Sequence, residues 1–241
     1  WYHDGVLNVS ANCVDRHLAR RGDQPALIYI STETGEEKTY TYAELHAEVQ
    51  RMAAVLVSLG VGKGDRVLIY MPMIAEAIFA MLATVRIGAI HSVVFGGFAA
   101  NSLATRIDDA RPKVMITADA GMRGGKAVPY KHLVDEALRL AETPAEKVLI
   151  VNRGLDKDMP LVAGRDLDYA TLRAQHLDTQ VPCTFVESSH PSYILYTSGT
   201  TGKPKGVCLS TPAMEAVAAS LLEVVGSQAP QRHLSLLPLS T

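Results

Sequence analysis

The sequence predicts an α/β fold in which layered, mostly parallel sheets carry helices on both faces. The first observation behind this prediction is an alternation: between Arg66 and Val151, short apolar runs take turns with longer segments of helical periodicity. Strands that alternate with helices of this length imply parallel pairing in a sheet that is covered on both sides. The second observation is the composition, because 48% hydrophobic and 20% charged residues in a chain of 241 allow a sizeable core.

Ahead of this alternation the sequence predicts a helix, a hairpin and a second helix. The first helix is capped by Asn12, runs through Arg20 and ends at Gly22. The strands of the hairpin are Ala26–Ser31 and Lys38–Tyr42, and the second helix covers Leu45–Leu59. Thr34-Gly35 is the predicted turn of the hairpin, and the glycine-rich stretch 60–64 ends the second helix.

The alternating elements are four strands and three helices. The strands are Arg66–Tyr70, Ala89–Phe95, Lys113–Thr117 and Lys147–Val151, and the helices are Ile74–Ile87, Ala99–Ala110 and Lys131–Ala141. In sheets of this kind, ligands bind at the carboxyl ends of the strands. The loops that follow the strands are therefore where we expect chemistry.

The chain is predicted to contain two α/β units. Residues 1–151 form the first unit, residues 152–192 form an irregular linker with one short helix, Asp168–Gln175, and residues 193–241 begin the second. Glycines and prolines interrupt the linker repeatedly. The second unit is predicted to open with the strand Tyr193–Tyr196, a loop, and a helix over Thr211–Val225.

Charge and cysteine usage exclude several classes of protein. A net charge of −2 argues against nucleic-acid binding, which usually needs a basic face. The three cysteines are far apart and form no ligand cluster, so we expect a reducing cytoplasm and no metal site. The most apolar stretch, Ala75–Val94, carries Glu76, Arg86 and His91, which favours a buried helix and strand over a membrane span. Since the chain does not begin with Met, we expect it to be a piece of a longer one.

A loop rich in small polar residues, YTSGTTGKPKG at 196–206, is the first candidate site. It offers the backbone amides of its glycines, the hydroxyls of Thr197, Ser198, Thr200 and Thr201, and the ammonium groups of two lysines. Such a loop is an anion nest, and its natural guest is a polyphosphate. A surface loop without a ligand is the alternative. The residues concerned are Thr197, Ser198, Gly199, Thr200, Thr201, Gly202, Lys203 and Lys205.

This loop is not the common nucleotide P-loop, GxxxxGK[ST]. Only two residues separate Gly199 from Gly202-Lys203, and the next residue is Pro204, which has no hydroxyl for magnesium. The stretch 121–127, GMRGGKA, fails the same pattern because its spacing is short and Ala replaces Ser or Thr.

Two further glycine-rich stretches follow predicted strands. Gly96 and Gly97 end a buried strand, where they allow another backbone or a ligand to come close, or simply form a tight turn. The second stretch, Arg123-Gly124-Gly125-Lys126, combines two cations with two glycines and suits a nucleotide phosphate. A solvated basic loop is the alternative there.

The loop at 196–206 matches [ST]SG[ST]TGxPKG at every position, and the chain thereby resembles the adenylate-forming enzymes: acyl-CoA synthetases, luciferases and adenylation domains. Four further segments resemble the short-chain acyl-CoA synthetases. Within them, the stretches MIAEA and MRGGKAVPYK look closer to the propionyl-CoA synthetases than to the acetyl-CoA synthetases. The segments are NVSANCVDRHL (8–18), YMPMIAEA (70–77), RIGAIHSVVFGGF (86–98) and TADAGMRGGKAVPYK (117–131). The resemblance covers residues 1–207.

The resemblance implies a function and a set of binding residues. It implies that a small carboxylate is activated by ATP with Mg²⁺ and then passed to coenzyme A. The ATP phosphates would contact Thr197, Ser198, Gly199, Thr200, Thr201, Gly202 and Lys205. Coenzyme A would contact Gly96, Gly97, Arg123, Gly124, Gly125 and Lys126. Arg is usual in the family where Lys126 stands, so one bidentate contact is expected to be weaker here. The chemistry takes place between substrates, so no catalytic nucleophile is expected in the protein.

After Val207 the sequence departs from the propionyl-CoA synthetase pattern. Residues 208–241 look more like the longer-chain acyl ligases, in which an apolar strand ends in Pro-Leu, as LSLLPL (234–239) does here. One hypothesis is a chimera joined near residues 195–207, and the rival is a single divergent lineage. The resemblance also implies that residues 1–241 are part of a large N-terminal AMP-binding domain, without the small C-terminal domain that assists adenylation.

Four interpretations therefore remain open at this point. The parent protein is expected to be a short-chain acyl-CoA synthetase, with this chain alone inactive. The alternatives are a medium- or long-chain fatty acyl-CoA ligase, a non-catalytic module that binds coenzyme A or a nucleotide, and an inert truncated product with exposed core surface.

Overall fold

The structure is a computed structural model that describes residues 4–31, 34–197 and 205–210. The helices described are α1 (Val9–Cys13), α2 (Leu18–Arg21), α3 (Tyr42–Ser58), α4 (Ala75–Arg86), α5 (Ala100–Ala110), α6 (Tyr130–Leu140) and α7 (Tyr169–Ala174), with a 3₁₀ turn at Asp15–His17. The strands described are β1 (Val6–Leu7), β2 (Pro25–Ile30), β3 (Glu37–Thr41), β4 (Arg66–Met71), β5 (Ile90–Phe95), β6 (Val114–Ala118), β7 (Ala120–Arg123), β8 (Lys126–Pro129), β9 (Lys147–Val151), β10 (Asp166–Asp168), β11 (Val186–Glu187), β12 (Pro191–Thr197) and β13 (Lys205–Ser210).

A seven-stranded sheet organises the described residues, in the order β10-β9-β6-β4-β5-β12-β13. The first six strands run parallel to one another, and β13 is antiparallel to β12 at the edge. The predicted α/β architecture with a mostly parallel sheet is thereby confirmed. Three small two-stranded sheets, β1-β11, β2-β3 and β7-β8, lie outside the main sheet.

Helices cover both faces of the sheet and create two separate cores. Val67 and Ile69 of β4 pack into a cluster with α3 and α4, while Leu68 and Tyr70 pack into a second cluster with α5 and α6. Successive side chains of a strand point to opposite faces. A central parallel strand therefore needs apolar residues at every position, which is why RVLIYM shows no polar alternation.

The described structure contains the predicted β2-β3 hairpin and the alternating elements, with bounds that differ by a few residues. Helix α3 begins three residues before the predicted Leu45. Its start is fixed by a capping box, in which the Thr41 hydroxyl accepts from the Glu44 amide at 3.2 Å and the Glu44 carboxylate accepts from the Thr41 amide at 2.8 Å. This reciprocal pair satisfies two backbone donors at the helix start.

The prediction of a helix capped by Asn12 is wrong. Asn8 caps the short α1 instead, and the chain then passes through the 3₁₀ turn into α2, which ends at Arg21. The Asn8 side chain is buried and donates to the carbonyls of Val85, Arg86 and Thr184 at 2.9, 3.0 and 2.8 Å. Contacts with residues far along the chain therefore decide where this helix begins.

The segment 152–192 contains more structure than the predicted helix Asp168–Gln175, which corresponds to α7. Within it, β10 extends the main sheet beside β9, and β11 pairs with β1. The strand predicted at Tyr193–Tyr196 is β12, which pairs with β5 in the main sheet. The division into units 1–151 and 193–241 stays a prediction, and the helix predicted at Thr211–Val225 lies outside the described residues.

Among the helices that the structure describes, none is both long and apolar enough to cross a lipid bilayer.

Candidate functional site

The predicted binding stretches follow strands that end at one edge of the main sheet. The turn at residues 96–98 follows β5, the β7-β8 hairpin follows β6, and the predicted phosphate loop follows β12. Because these three strands are parallel members of one sheet, their carboxyl ends lie at the same edge. This is the edge at which open α/β sheets bind ligands.

The stretch Arg123-Gly124-Gly125-Lys126 is the tip of the β7-β8 hairpin, which the sequence reading did not predict. Gly124 and Gly125 have φ of 55° and 74°, as the two central residues of a type I′ turn require. Arg123 and Lys126 are opposite each other in the register, and both are exposed. The signal that could have revealed the hairpin was the Gly-Gly pair itself.

The hairpin presents two cations side by side to solvent. None of the ion pairs in the described part of the chain includes either of them. A cross-strand pair of like charges is unfavourable in isolation. An anion bound between them would relieve that repulsion, so the tip is suited to a phosphate group.

The turn at 96–98 needs glycine because side chains approach it closely. A Cβ atom at Gly96 would lie 2.3 Å from the Tyr130 hydroxyl oxygen, and one at Gly97 would lie 2.4 Å from the Phe95 ring. The Tyr70 hydroxyl donates to the carbonyl of Phe98 at 2.9 Å. Aromatic side chains, rather than another backbone, therefore occupy the space that these glycines leave.

Tyr130 brings the turn and the hairpin together. A Cβ atom at Gly121 of β7 would lie 2.8 Å from the Tyr130 ring and hydroxyl, so the same side chain packs against both elements. The Tyr70 ring lies 5.1 Å from the Tyr130 ring, at a tilt. Burial, and secondarily the nearby Tyr130, raise the pKa of Tyr70, which keeps its hydroxyl protonated as a donor. Sequence reasoning missed both tyrosines, although each lies within a stretch that resembles the family.

The ends of the predicted phosphate loop are paired. Thr197 ends β12, Lys205 begins β13, and the two residues are opposite each other in an antiparallel register. The strand β13 was not predicted. Between these ends lie Ser198, Gly199, Thr200, Thr201 and Gly202, which are outside the described residues, so their predicted roles stay predictions.

Helix α5 holds the strand that leads into this loop. The Arg106 guanidinium lies 4.5 Å from the ring centroid of Phe98 and 5.0 Å from that of Tyr196. The Tyr196 hydroxyl donates to the Asp109 carboxylate at 2.7 Å. Arg106 thus connects the 96–98 turn to the residue that precedes Thr197, and sequence reasoning gave no sign of it.

A cavity of about 310 Å³ opens elsewhere, between the β2-β3 hairpin, the start of α4 and the segment after β9. It contains none of the predicted binding residues. Its lining residues are Tyr29, Thr34, Glu36, Tyr40, Ile74, Ala75, Glu76, Arg153 and Leu155. Of the predicted coenzyme A residues, Gly97, Arg123, Gly124, Gly125 and Lys126 are exposed and Gly96 is buried.

Neither His91 nor Cys183 is suited to acid–base or nucleophilic chemistry at neutral pH. His91 is stacked against Tyr193, and burial lowers its pKa to about 4, so the ring is neutral at pH 7. Burial raises the pKa of Cys183 to about 11, which disfavours the nucleophilic thiolate. In the described residues no group of three or more potential ligands could hold a metal ion.

The fold belongs to the class of α/β proteins in which glycine-rich turns follow the strands of a mostly parallel sheet. The sequence model of one such family, the AMP-binding enzymes, matches residues 14–241. The chain therefore belongs to the AMP-binding enzyme family.

Several known proteins are similar to most of this chain. A propionate–CoA ligase of Salmonella typhimurium is 58% identical over 207 residues, which cover 86% of this chain and 33% of the relative. An acetyl-coenzyme A synthetase of Thiobacillus denitrificans is 54% identical over 211 residues, which cover 88% of this chain and 32% of the relative. The solved structure of the acetoacetyl-CoA synthetase from Streptomyces lividans superposes with a TM-score of 0.73 at 35% identity, covering 85% of this chain and 30% of that one. The chain thus spans about a third of the length of these relatives.

Proposed function

We propose that the full-length gene product is an ATP-dependent acyl-CoA synthetase for a short carboxylate, propionate or acetate. A carboxylate oxygen attacks the α-phosphorus of ATP, the bond to the β-phosphate breaks, and pyrophosphate leaves. The thiolate of coenzyme A then attacks the acyl carbon of the acyl-adenylate, and AMP leaves. ATP enters as its magnesium complex, and all bonds form between substrates.

The observation that carries this proposal is the meeting of three predicted binding elements at one sheet edge. The turn at 96–98 and the β7-β8 hairpin share the Tyr130 side chain, and Arg106 links that turn to the end of β12. This edge suits the binding of phosphate groups at two places. A reaction that uses both ATP and coenzyme A requires two such places. The 58% identity to a propionate–CoA ligase supports the short acyl group.

We assign binding roles on this basis. The loop residues Thr197, Ser198, Gly199, Thr200, Thr201, Gly202 and Lys205 orient the ATP phosphates, and electrostatics and positioning lower the barrier. Arg123 and Lys126 bind the nucleotide phosphates of coenzyme A, Gly124 and Gly125 allow close approach, and Gly96 and Gly97 shape the neighbouring turn.

Two assays on the full-length gene product test the proposal. Pyrophosphate exchange into ATP, dependent on propionate or acetate and independent of coenzyme A, reports the adenylate. Thioester formation reports the second step. We expect both activities, and no exchange from the 241-residue chain alone, because it spans only about a third of the length of its relatives. Exchange by the isolated chain would refute its predicted inactivity.

A second candidate, a medium- or long-chain acyl-CoA ligase, is favoured by the sequence of residues 208–241. The family model spans both sides of the suggested join near 195–207, so its match is compatible with a chimera and with one lineage. A non-catalytic binding module is the third candidate. Calorimetry that finds coenzyme A binding but no ATP binding would favour the module.

A further inference from the structure

Tyr130 occupies a junction between two elements that are otherwise separate in the chain. It follows Pro129 at the start of α6, is 8% exposed, and lies against Gly96 of the 96–98 turn and Gly121 of the hairpin. An added Cβ at Gly96 would come within 2.6 Å of the ring atoms Cε2 and Cζ, besides the hydroxyl at 2.3 Å. Real Cβ atoms do not approach other atoms so closely. The ring therefore sets the distance between the turn and the hairpin.

The side chain is held firmly in this place. The next residue, Lys131, is fully buried, and its ammonium group lies 2.7 Å from the Asp135 carboxylate and 2.9 Å from that of Asp166. The Lys131 amide also donates to the carbonyl of Asp119, directly after β6, at 3.2 Å. Buried charges that are paired in this way tolerate little displacement. The start of α6, and Tyr130 with it, is thus anchored to the sheet.

We propose that Tyr130 is a positioning residue for coenzyme A: it fixes the 96–98 turn relative to the Arg123 and Lys126 cations without touching the ligand itself. The inference rests on the proposed function, because it presumes that these two elements bind coenzyme A. A displacement of about 1 Å at a positioned group can cost a hundredfold in rate. A change at Tyr130 or Gly96 should therefore act mainly on the coenzyme A step, with a smaller effect on adenylate formation, which needs no coenzyme A but is connected to the turn through Phe98 and Arg106.

A steric exchange in the full-length gene product tests this. Gly96→Ala should raise the KM for coenzyme A about tenfold or more, by pushing the turn away from the Tyr130 ring. Adding Tyr130→Leu should restore the KM to within about threefold of wild type, because leucine lacks the atoms that clash. Adding Tyr130→Phe should not restore it, because Cε2 and Cζ remain. Propionate-dependent pyrophosphate exchange should change by a smaller factor than the KM for coenzyme A in every variant, since the turn is connected to the ATP loop through Phe98 and Arg106.

Gly62→Ala is the matched control, because a Cβ at Gly62 meets no heavy atom within 4 Å and its φ is not positive. It should change neither step. The inference is overturned if Gly96→Ala leaves the KM for coenzyme A unchanged, if it lowers exchange and thioester formation in parallel with the melting temperature, or if Tyr130→Leu brings no recovery. Absence of coenzyme A thioester formation in the wild-type protein would instead overturn the proposed function, and this inference with it.

Discussion

At the scale of single residues, one buried arginine joins separate parts of the chain. Arg86 on α4 is 3% exposed and donates to both carboxylate oxygens of Asp15 at 2.8 and 2.9 Å, and to the carbonyl of Val181 at 2.6 Å. Burial alone would raise the pKa of Asp15, but hydrogen bonds from His46 and Arg86 hold it well below its usual range. The pair thus fastens the N-terminal segment and the segment before β11 to α4.

Because of the Asp15 carboxylate, the free energy of unfolding depends on pH. Its pKa is lower in the folded state than in the unfolded one, so its stabilisation is complete above about pH 4 and is lost as the pH falls toward the folded value. Asp15→Asn should lower the free energy of unfolding by about 3 kcal/mol at pH 7, because it leaves a buried guanidinium without its countercharge. It should also flatten the decline of stability below pH 4.

Urea denaturation of wild type and variant at pH 7 and pH 3.5 measures both effects. Asp65→Asn is the control, since the side chains of the Lys113–Asp65 pair are 46% and 30% exposed and the pair should contribute less than about 1 kcal/mol. If wild type and Asp15→Asn lose stability equally between the two pH values, the assigned role of Asp15 is wrong.

Arg106 makes a second prediction at this scale. Its guanidinium lies over two aromatic rings, an arrangement that a lysine ammonium reproduces poorly. Arg106→Lys should therefore raise the KM for ATP in pyrophosphate exchange about threefold to tenfold, since each cation–π contact is worth about 1 kcal/mol. Tyr196→Phe keeps the ring beneath Arg106 and loses the bond to Asp109, so its effect should be smaller. A larger effect from Tyr196→Phe would show that the hydroxyl, not the stack, holds β12.

At the scale of elements, the β7-β8 hairpin depends on the backbone of its two glycines. Both have positive φ, and the space around each is open. Gly124→Asn should be tolerated, because Asn-Gly is a favoured type I′ pair. Gly124→Val should instead disturb the turn at a cost of about 1–2 kcal/mol and raise the KM for coenzyme A. Equal KM values for the two variants, compared by steady-state thioester assays, would mean that the turn geometry does not shape the site.

The elements also show what sequence reasoning could and could not reach. The alternation from β4 to β9 was predictable because its main strands are short runs of mostly apolar residues and its helices show helical periodicity. The hairpin strand AGMR was not, since it is short and carries no β-branched residue. The start of α1 depends on bonds from Asn8 to carbonyls 77 and more residues away, which local patterns do not contain.

The candidate site, too, was only partly predictable from the sequence. The glycine-rich stretches were recognisable from residue type and from their place after strands. Tyr130 and Arg106 were not, because their importance arises only where turn, hairpin and β12 meet in space. Residue types alone gave no reason to separate these two from the other tyrosines and arginines of the chain.

At the scale of the whole molecule, one sheet separates two faces with different partners. The face covered by α3 and α4 carries the anchored N-terminal segment, and the face covered by α5 and α6 supports the turn and the hairpin. The proposed ligand edge lies where the parallel strands end. This division leads us to expect that substitutions such as Asp15→Asn act on stability, while those at Gly96 act on the coenzyme A step.

The central claim is that the full-length protein activates a short carboxylate. The most direct test is the kcat/KM of the purified full-length gene product for coenzyme A thioester formation across a series of straight-chain carboxylates from acetate to palmitate. We expect a maximum at propionate or acetate and a steep fall with each further methylene. A maximum among the longer chains, or the absence of any thioester product, would contradict it.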